Sequence, residues 1–464
     1  MTGGKYACMD RPALDACCSN VIRDCSGPAF SIDRRHIVPE VTTYLAPSFD
    51  RDALLFSFPV LFSRTTAEEI GPDKNGSDGA VQVLIEQIKQ RARQTPSLAP
   101  LYGAGTRFPS RYDATIEPYT VIHSDDAIGA HLWHADARNF IDGEGIHLLV
   151  RGALPFPPDG QVSGERKILD ALHALFAAAA MVIEKVPDRL LAEGWERSLD
   201  QKLLRQSLPA LGLVAFVADG SRPARGYTRH RSFFRIAGSK DGTNVPFSCP
   251  AGLSPLELEL PASNETVTGL GIRKGEVFAV TGSNAQGKTT FLTGIVAGMD
   301  DHAGGDGREG IVTVRGIEIA EAMNCQLAGE DVSMFFAALP PGMSGTVRAA
   351  YGMGSGSMTM ASQVQRAFSR RAPILIIDED RSAPNLLMKS CLQSEDVTPL
   401  AELLARGSLR NGSTTLLFAA CSADTLIARA DRIMVLDRHV AGAIDREQFI
   451  SMLKASLRMT LEQL

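Results

Sequence analysis

Apolar positions along the 464-residue chain fall into two regimes. In residues 36–120, short apolar stretches such as residues 54–61 alternate with Pro, Gly and Asp, a rhythm of strands and loops. Within residues 77–95, Val81, Val83, Leu84, Ile88 and Ala92 supply spacings of three and four, which predicts a helix. A strand is expected at residues 145–150, Ala- and Leu-rich helices at 167–186 and 188–206, and a β-branched strand at 212–217 closed by Asp219-Gly220. Beyond it, apolar runs at 256–260, 277–281, 311–314, 374–378, 415–419 and 433–436 read as strands separated by helical stretches, the alternation of a parallel sheet. The domain expectation is a leader over residues 1–35, an N-terminal α/β domain over 36–220, a second α/β domain over 221–445 and a C-terminal helix over 446–464. No period of 20 to 50 residues repeats, so a solenoid is not expected.

Composition narrows the partners. Hydrophobic residues make up 44% and charged residues 22%, the balance of a globular chain. The longest apolar run, residues 171–183, falls short of the ~18 to 20 residues a spanning helix needs, so no membrane partner is expected. A formal charge of -6 argues against a general polycation, so any polyanion must meet a local patch. The segment 221–240, SRPARGYTRHRSFFRIAGSK, is such a patch, with Arg222, Arg225, Arg229, Arg231 and Arg235 and no acid. Interleaved with Tyr227, Phe233 and Phe234, these cations suit single-stranded RNA, the alternative being a solvated loop.

Cysteine and histidine carry less. Cys8, Cys17, Cys18 and Cys25 crowd the start but form no CxxC pair, and reduced thiols are expected. His123, His131, His134 and His147 lack the acid or Cys that would complete a zinc set. A cytoplasmic setting is expected; the mitochondrial alternative is weakened because Asp10, Asp15, Asp24 and Asp33 accompany the leader arginines.

The strongest chemical signal is VFAVTGSNAQGKTTF. Gly282, Ser283, Asn284, Ala285, Gln286, Gly287, Lys288 and Thr289, followed by Thr290, fit a P-loop between an apolar strand and a helix. In that motif backbone amides cradle phosphates, the Lys neutralises the terminal ones and the Thr hydroxyl ligates Mg²⁺, so ATP and Mg²⁺ are the expected ligands. Farther on, ILIIDED ends a buried strand in Asp378, a candidate Mg²⁺ ligand, and Glu379, a candidate base for the attacking water.

Between these motifs, Ser355-Gly356 opens a run whose Ala361, Val364, Ala367 and Phe368 share a helical face. This resembles the signature of ABC-type ATPases, where the Ser and Gly reach the nucleotide of a second protomer. Ser382 to Asn385 resembles the D-loop of the same superfamily. With GDGRE at 305–309, DVSMF at 331–335, LIIDEDRSAPN at 375–385 and LLVRGALPFP at 148–157, the chain resembles the "predicted ATPase of the ABC class" family over about residues 125–445. That family is bacterial and archaeal, with a trypanosomatid mitochondrial branch connected with RNA processing.

The resemblance implies a P-loop NTPase fold with an N-terminal α/β domain, and a homodimeric ATPase whose opening and closing acts on RNA. A transporter's nucleotide-binding subunit and a non-catalytic ATP-gated scaffold are the rivals. The sequence departs from transporters where their switch His stands, since Cys421 occupies that place; either hydrolysis is slow or Ser422 or Asp424 substitutes. Only 67 residues separate Lys288 from Ser355, little room for a membrane-coupling helical subdomain, and Gln326 lies in a poor context for a coupling Gln. For adenine stacking Phe247 is a candidate, though a core position is the stronger expectation for it.

Overall fold

The computed structural model describes residues 6–8, 44–48, 52–64, 74–107, 139–156, 163–223, 245–302, 304–305, 307–390, 392, 396–410 and 413–463. The leader cysteines Cys17, Cys18 and Cys25, the histidines His123, His131 and His134, and Arg225, Arg229, Arg231 and Arg235 lie outside the described residues.

The chain forms two compact units that divide between Asp200 and Gln201. In the first, β1 (Tyr6–Cys8), β2 (Tyr44–Pro47), β3 (Ala53–Phe62), β4 (Phe140–Asp142) and β5 (Gly145–Pro155) form an antiparallel sheet in the order β1-β3-β5-β4, with β2 also on β3. Phe56, Phe58, Val60 and Phe62 are buried on alternate positions of β3. They share a core with α1 (Lys74–Ala92) and α2 (Ser163–Lys185), whose Leu172, Leu175, Phe176, Ala179 and Ile183 recur at helical spacing. His147 belongs to this unit, hydrogen-bonded to Asp142 at 2.9 Å and stacked on Phe140.

The division lies inside α3 (Asp188–Ser207), earlier than the boundary at residue 220 expected from sequence. The cause is pairing. β6 (Leu213–Ala218) hydrogen-bonds antiparallel to β8 (Thr266–Arg273) and β10 (Ile311–Thr313), and β7 (Leu256–Glu259) to β8, giving a four-stranded sheet β10-β6-β8-β7 within the second unit. Residues 256–260 and 311–314, expected in the parallel sheet, therefore belong to this separate antiparallel one.

The parallel sheet proper runs β11 (Ile317–Ala320), β15 (Ile374–Asp378), β16 (Thr415–Ala420), β9 (Val277–Thr281) and β17 (Arg432–Asp437), with β18 (Val440–Ile444) antiparallel at its edge. Its strands are almost wholly apolar because both faces are covered. Val277, Ala279, Leu375, Ile377 and Phe418 point into one core with α5 (Gly356–Ser369). Their neighbours Phe278, Val280, Ile374, Ile376 and Leu417 point into the other with Phe291, Leu292 and Ile295 of α4 (Lys288–Ala297). A small sheet of β12 (Cys325–Glu330), β14 (Ala349–Gly354) and β13 (Ser344–Thr346) leads into α5, and α6 (Arg446–Gln463) ends the unit. Among the described residues no helix is long and apolar enough to cross a membrane.

Candidate functional site

The C-terminal ends of β9, β15, β16 and β17 lie side by side, and the loops leaving them carry the motif residues. Gly282 leaves β9 at φ 131, and a Cβ there would come 2.2 Å from the Leu436 carbonyl oxygen, so only glycine lets the loop pass against β17. Ala285 at φ 62 and Gly287 at φ 99 reverse the backbone at the start of α4, the left-handed turns by which a loop can bring successive amides to one side. Ser283, Asn284 and Ala285 are exposed there. Lys288 is buried, and its Nζ donates to the Gly282 and Ser283 carbonyls at 2.8 Å each, which arches the loop over the ammonium.

The Thr289 hydroxyl donates to Asp378 Oδ2 at 2.7 Å, bringing together two oxygen donors that lie 89 positions apart in sequence. Asp378 is buried at the end of β15, and the Ser382 hydroxyl donates to its carbonyl at 2.7 Å. Both donors are hard oxygens, the set Mg²⁺ accepts, so the residues present fit that ion.

Glu379 is partly exposed and faces the loop after β16. It accepts hydrogen bonds from the Cys421 and Ser422 amides and from the Ser422 hydroxyl. Burial raises its pKa, but the Ser422 hydroxyl and the amides of Cys421, Ser422 and Ala423 outweigh that and hold the carboxyl below the usual range. Asp424 is shifted upward by burial and then by the charge of Glu379. Cys421 thus meets Glu379 through its backbone N–H, a contact no sequence pattern specifies, while Ser422 supplies the side-chain bond.

Ser355 is exposed at the N-cap of α5 beside Gly356. One position on, the Ser357 hydroxyl donates to Asn385 Oδ1 at 2.7 Å, tying the signature helix to the turn after Ser382. Phe247 is buried with its ring centroid 5.8 Å from that of Phe291, the core placement that is the stronger expectation for it. Gln326 stands on β12 opposite Met353. Of the basic segment's arginines only Arg222 is described, and its amide donates to the Gly307 carbonyl.

Sequence reasoning missed the turn between β17 and β18. The Arg438 amide donates to Gln286 Oε1 at 2.5 Å and His439 Nδ1 contacts the Gln286 carbonyl at 3.1 Å, so the P-loop is braced from that side.

A family model for the P-loop domain of ABC_ATPase matches residues 187–461. An uncharacterized protein of Methanocaldococcus jannaschii is 39% identical over 393 residues, 84% of this chain and 85% of that protein. Among solved structures, cbiO1 from Clostridium perfringens, part of the ABC transporter complex cbiONQ, is 14% identical with a TM-score of 0.29, covering 44% of this chain and 92% of its own. A nucleotide-free ATP-binding cassette from an ABC transporter is 16% identical with a TM-score of 0.27, covering 40% and 87%.

Proposed function

Since the chain belongs to the ABC_ATPase family, we propose that it hydrolyses ATP as a homodimer and couples that cycle to RNA. The observation that carries the catalytic part is the convergence of Lys288, the Thr289–Asp378 pair and Glu379 on the ends of β9 and β15. The P-loop amides of residues 282–289 and Thr290 bind the phosphates, and Lys288 leaves its carbonyl partners to neutralise the terminal ones. Thr289 and Asp378 would hold Mg²⁺, which would supply charge neutralisation at the phosphate oxygens. Glu379 takes the proton from the attacking water as its oxygen bonds to the γ-phosphorus and the bond to the β-γ bridging oxygen breaks. Ser422 and the loop amides orient that carboxylate, so a switch His is not needed to place the base. A carboxylate kept below the usual range is a weak base, in keeping with slow turnover.

Ser355, exposed at the N-cap of a 14-residue helix, and Gly356 beside it present an N-terminal dipole to the second protomer's γ-phosphate, with Ser382 and Asn385 bracing the turn beside them. Phosphate release from the purified full chain tests this reading. Wild type should turn over ATP, Lys288→Ala should lose ATP binding, and Glu379→Gln should bind ATP without cleaving it. Turnover by the Gln variant at the wild-type rate would remove Glu379 from the role of base.

RNA contact rests on the composition of residues 221–240. Replacing Arg229, Arg231 and Arg235 by Ala should weaken single-stranded RNA binding and lower its salt slope by up to about three phosphate equivalents, with ATP binding unchanged. Equal slopes in a salt titration of fluorescent RNA would assign the segment to solvated loop.

A further inference from the structure

The turn joining β17 to β18 has two residues, Arg438 and His439, because Asp437 pairs with Val440. Both have left-handed backbone, φ 48 and φ 67, the geometry of a type I′ hairpin. Asn-Gly or Gly-Gly adopts that turn at little cost, whereas a long cation and an imidazole there each hold a strained conformation. Such strain persists where the side chains are needed, and both residues of this turn touch the P-loop. Backbone of Arg438 holds the Gln286 side chain, His439 Nδ1 donates to the Gln286 carbonyl at 3.1 Å, and that ring stands 3.5 Å from the point a Cβ on Gly287 would occupy. The Arg438 side chain is exposed.

Sheet order says which end of a nucleotide this turn meets. Neighbouring β9 on one side are β16 and then β15, which bring Glu379, Asp378 and the 421–423 loop, the hydrolysing end. On the other side is β17 with its turn. A triphosphate whose terminal phosphate points toward β15 therefore directs its α-phosphate and ribose toward Arg438.

We propose that the Arg438–His439 turn is a nucleotide-binding element on the nucleoside side of the P-loop, with His439 positioning the Gln286 carbonyl and Arg438 binding the α-phosphate and ribose. This rests on the reading that the P-loop binds ATP, and it supplies the nucleoside-side contact that Phe247, buried in the core, does not.

The test replaces the turn by its relaxed equivalent, Arg438→Asn with His439→Gly, in the full chain. Melting temperature is measured together with calorimetric titration of ATP and of inorganic triphosphate. The melting temperature should rise by about 2–4 °C as strain is relieved. ATP affinity should fall about tenfold, the loss of one charge-assisted contact, while triphosphate affinity falls less. Arg438→Lys alone, which keeps the charge, should stay within about threefold of wild type for ATP. A melting temperature that rises with ATP affinity intact would overturn the inference. So would a fall in melting temperature with equal loss of both ligands, the mark of a purely structural turn. Wild type that binds neither ligand would fail the P-loop reading itself.

Discussion

Arg432 is the perturbation with the largest worked consequence, because it anchors the strand that ends in the turn beside the P-loop. Its guanidinium, 11% exposed, makes two bonds to Glu276, Nε to Oε2 at 3.0 Å and Nη2 to Oε1 at 2.6 Å. It also donates to the Leu253 carbonyl at 2.8 Å and the Gly271 carbonyl at 2.6 Å, and lies over the Phe278 ring. Glu276 is 7% exposed, and in Arg432→Ala it would keep only the Arg273 amide as a strong donor. Removing one partner of a buried pair costs about 3–5 kcal/mol, mostly from the charge left behind. In a unit of this size that lowers the melting temperature by roughly 6–20 °C. Replacing both partners, Arg432→Met with Glu276→Leu, should recover much of the loss, since no buried charge remains and only the Leu253 and Gly271 carbonyls and the Arg273 amide lose partners. Thermal unfolding followed by far-ultraviolet circular dichroism distinguishes the cases. A single variant within about 1 kcal/mol of wild type, or a double variant no better than the single, would refute the buried-charge reasoning.

Three further outcomes follow from the site. Lys288→Ala should weaken ATP binding by at least about 100-fold, roughly 3 kcal/mol of electrostatic stabilisation, read by calorimetry; a tenfold or smaller loss would mean the loop amides suffice. Mixed Ser355→Arg and Lys288→Ala subunits, each inactive alone, should regain activity as verified heterodimers through one intact composite site, and no recovery would argue against a signature acting in trans. Because the folded-state pKa of Glu379 is depressed, its hydrogen bonds add stability above the unfolded carboxylate value of about 4.5 that is lost as pH falls through the folded value. Ser422→Ala should therefore lower the urea midpoint more at pH 7 than at pH 3, and an equal loss at both would deny the carboxylate bond.

Strands 277–281 and 374–378 were legible residue for residue, because buried parallel strands leave unbroken apolar runs and the polar residues that end them are the motif itself. The positions of residues 282–289 and of Asp378 and Glu379 were legible for the same reason, since they directly follow those apolar runs. The domain boundary was not. β6 carries the apolar, β-branched pattern of any buried strand, and only its pairing with β8 and β10 assigns it to the second unit. Nor does composition say that Cys421 acts through its amide while Ser422 donates a hydroxyl, because a backbone donor has no side-chain signature. Arg438 and His439 lie in LDRHVAG, which carries no motif, more than 150 positions from the loop they brace. Sequence determined which groups the chain carries and which local turns it tolerates; the order of strands in the sheet decided which of those groups meet, because contacts between loops follow from pairing across the sheet and not from separation along the chain.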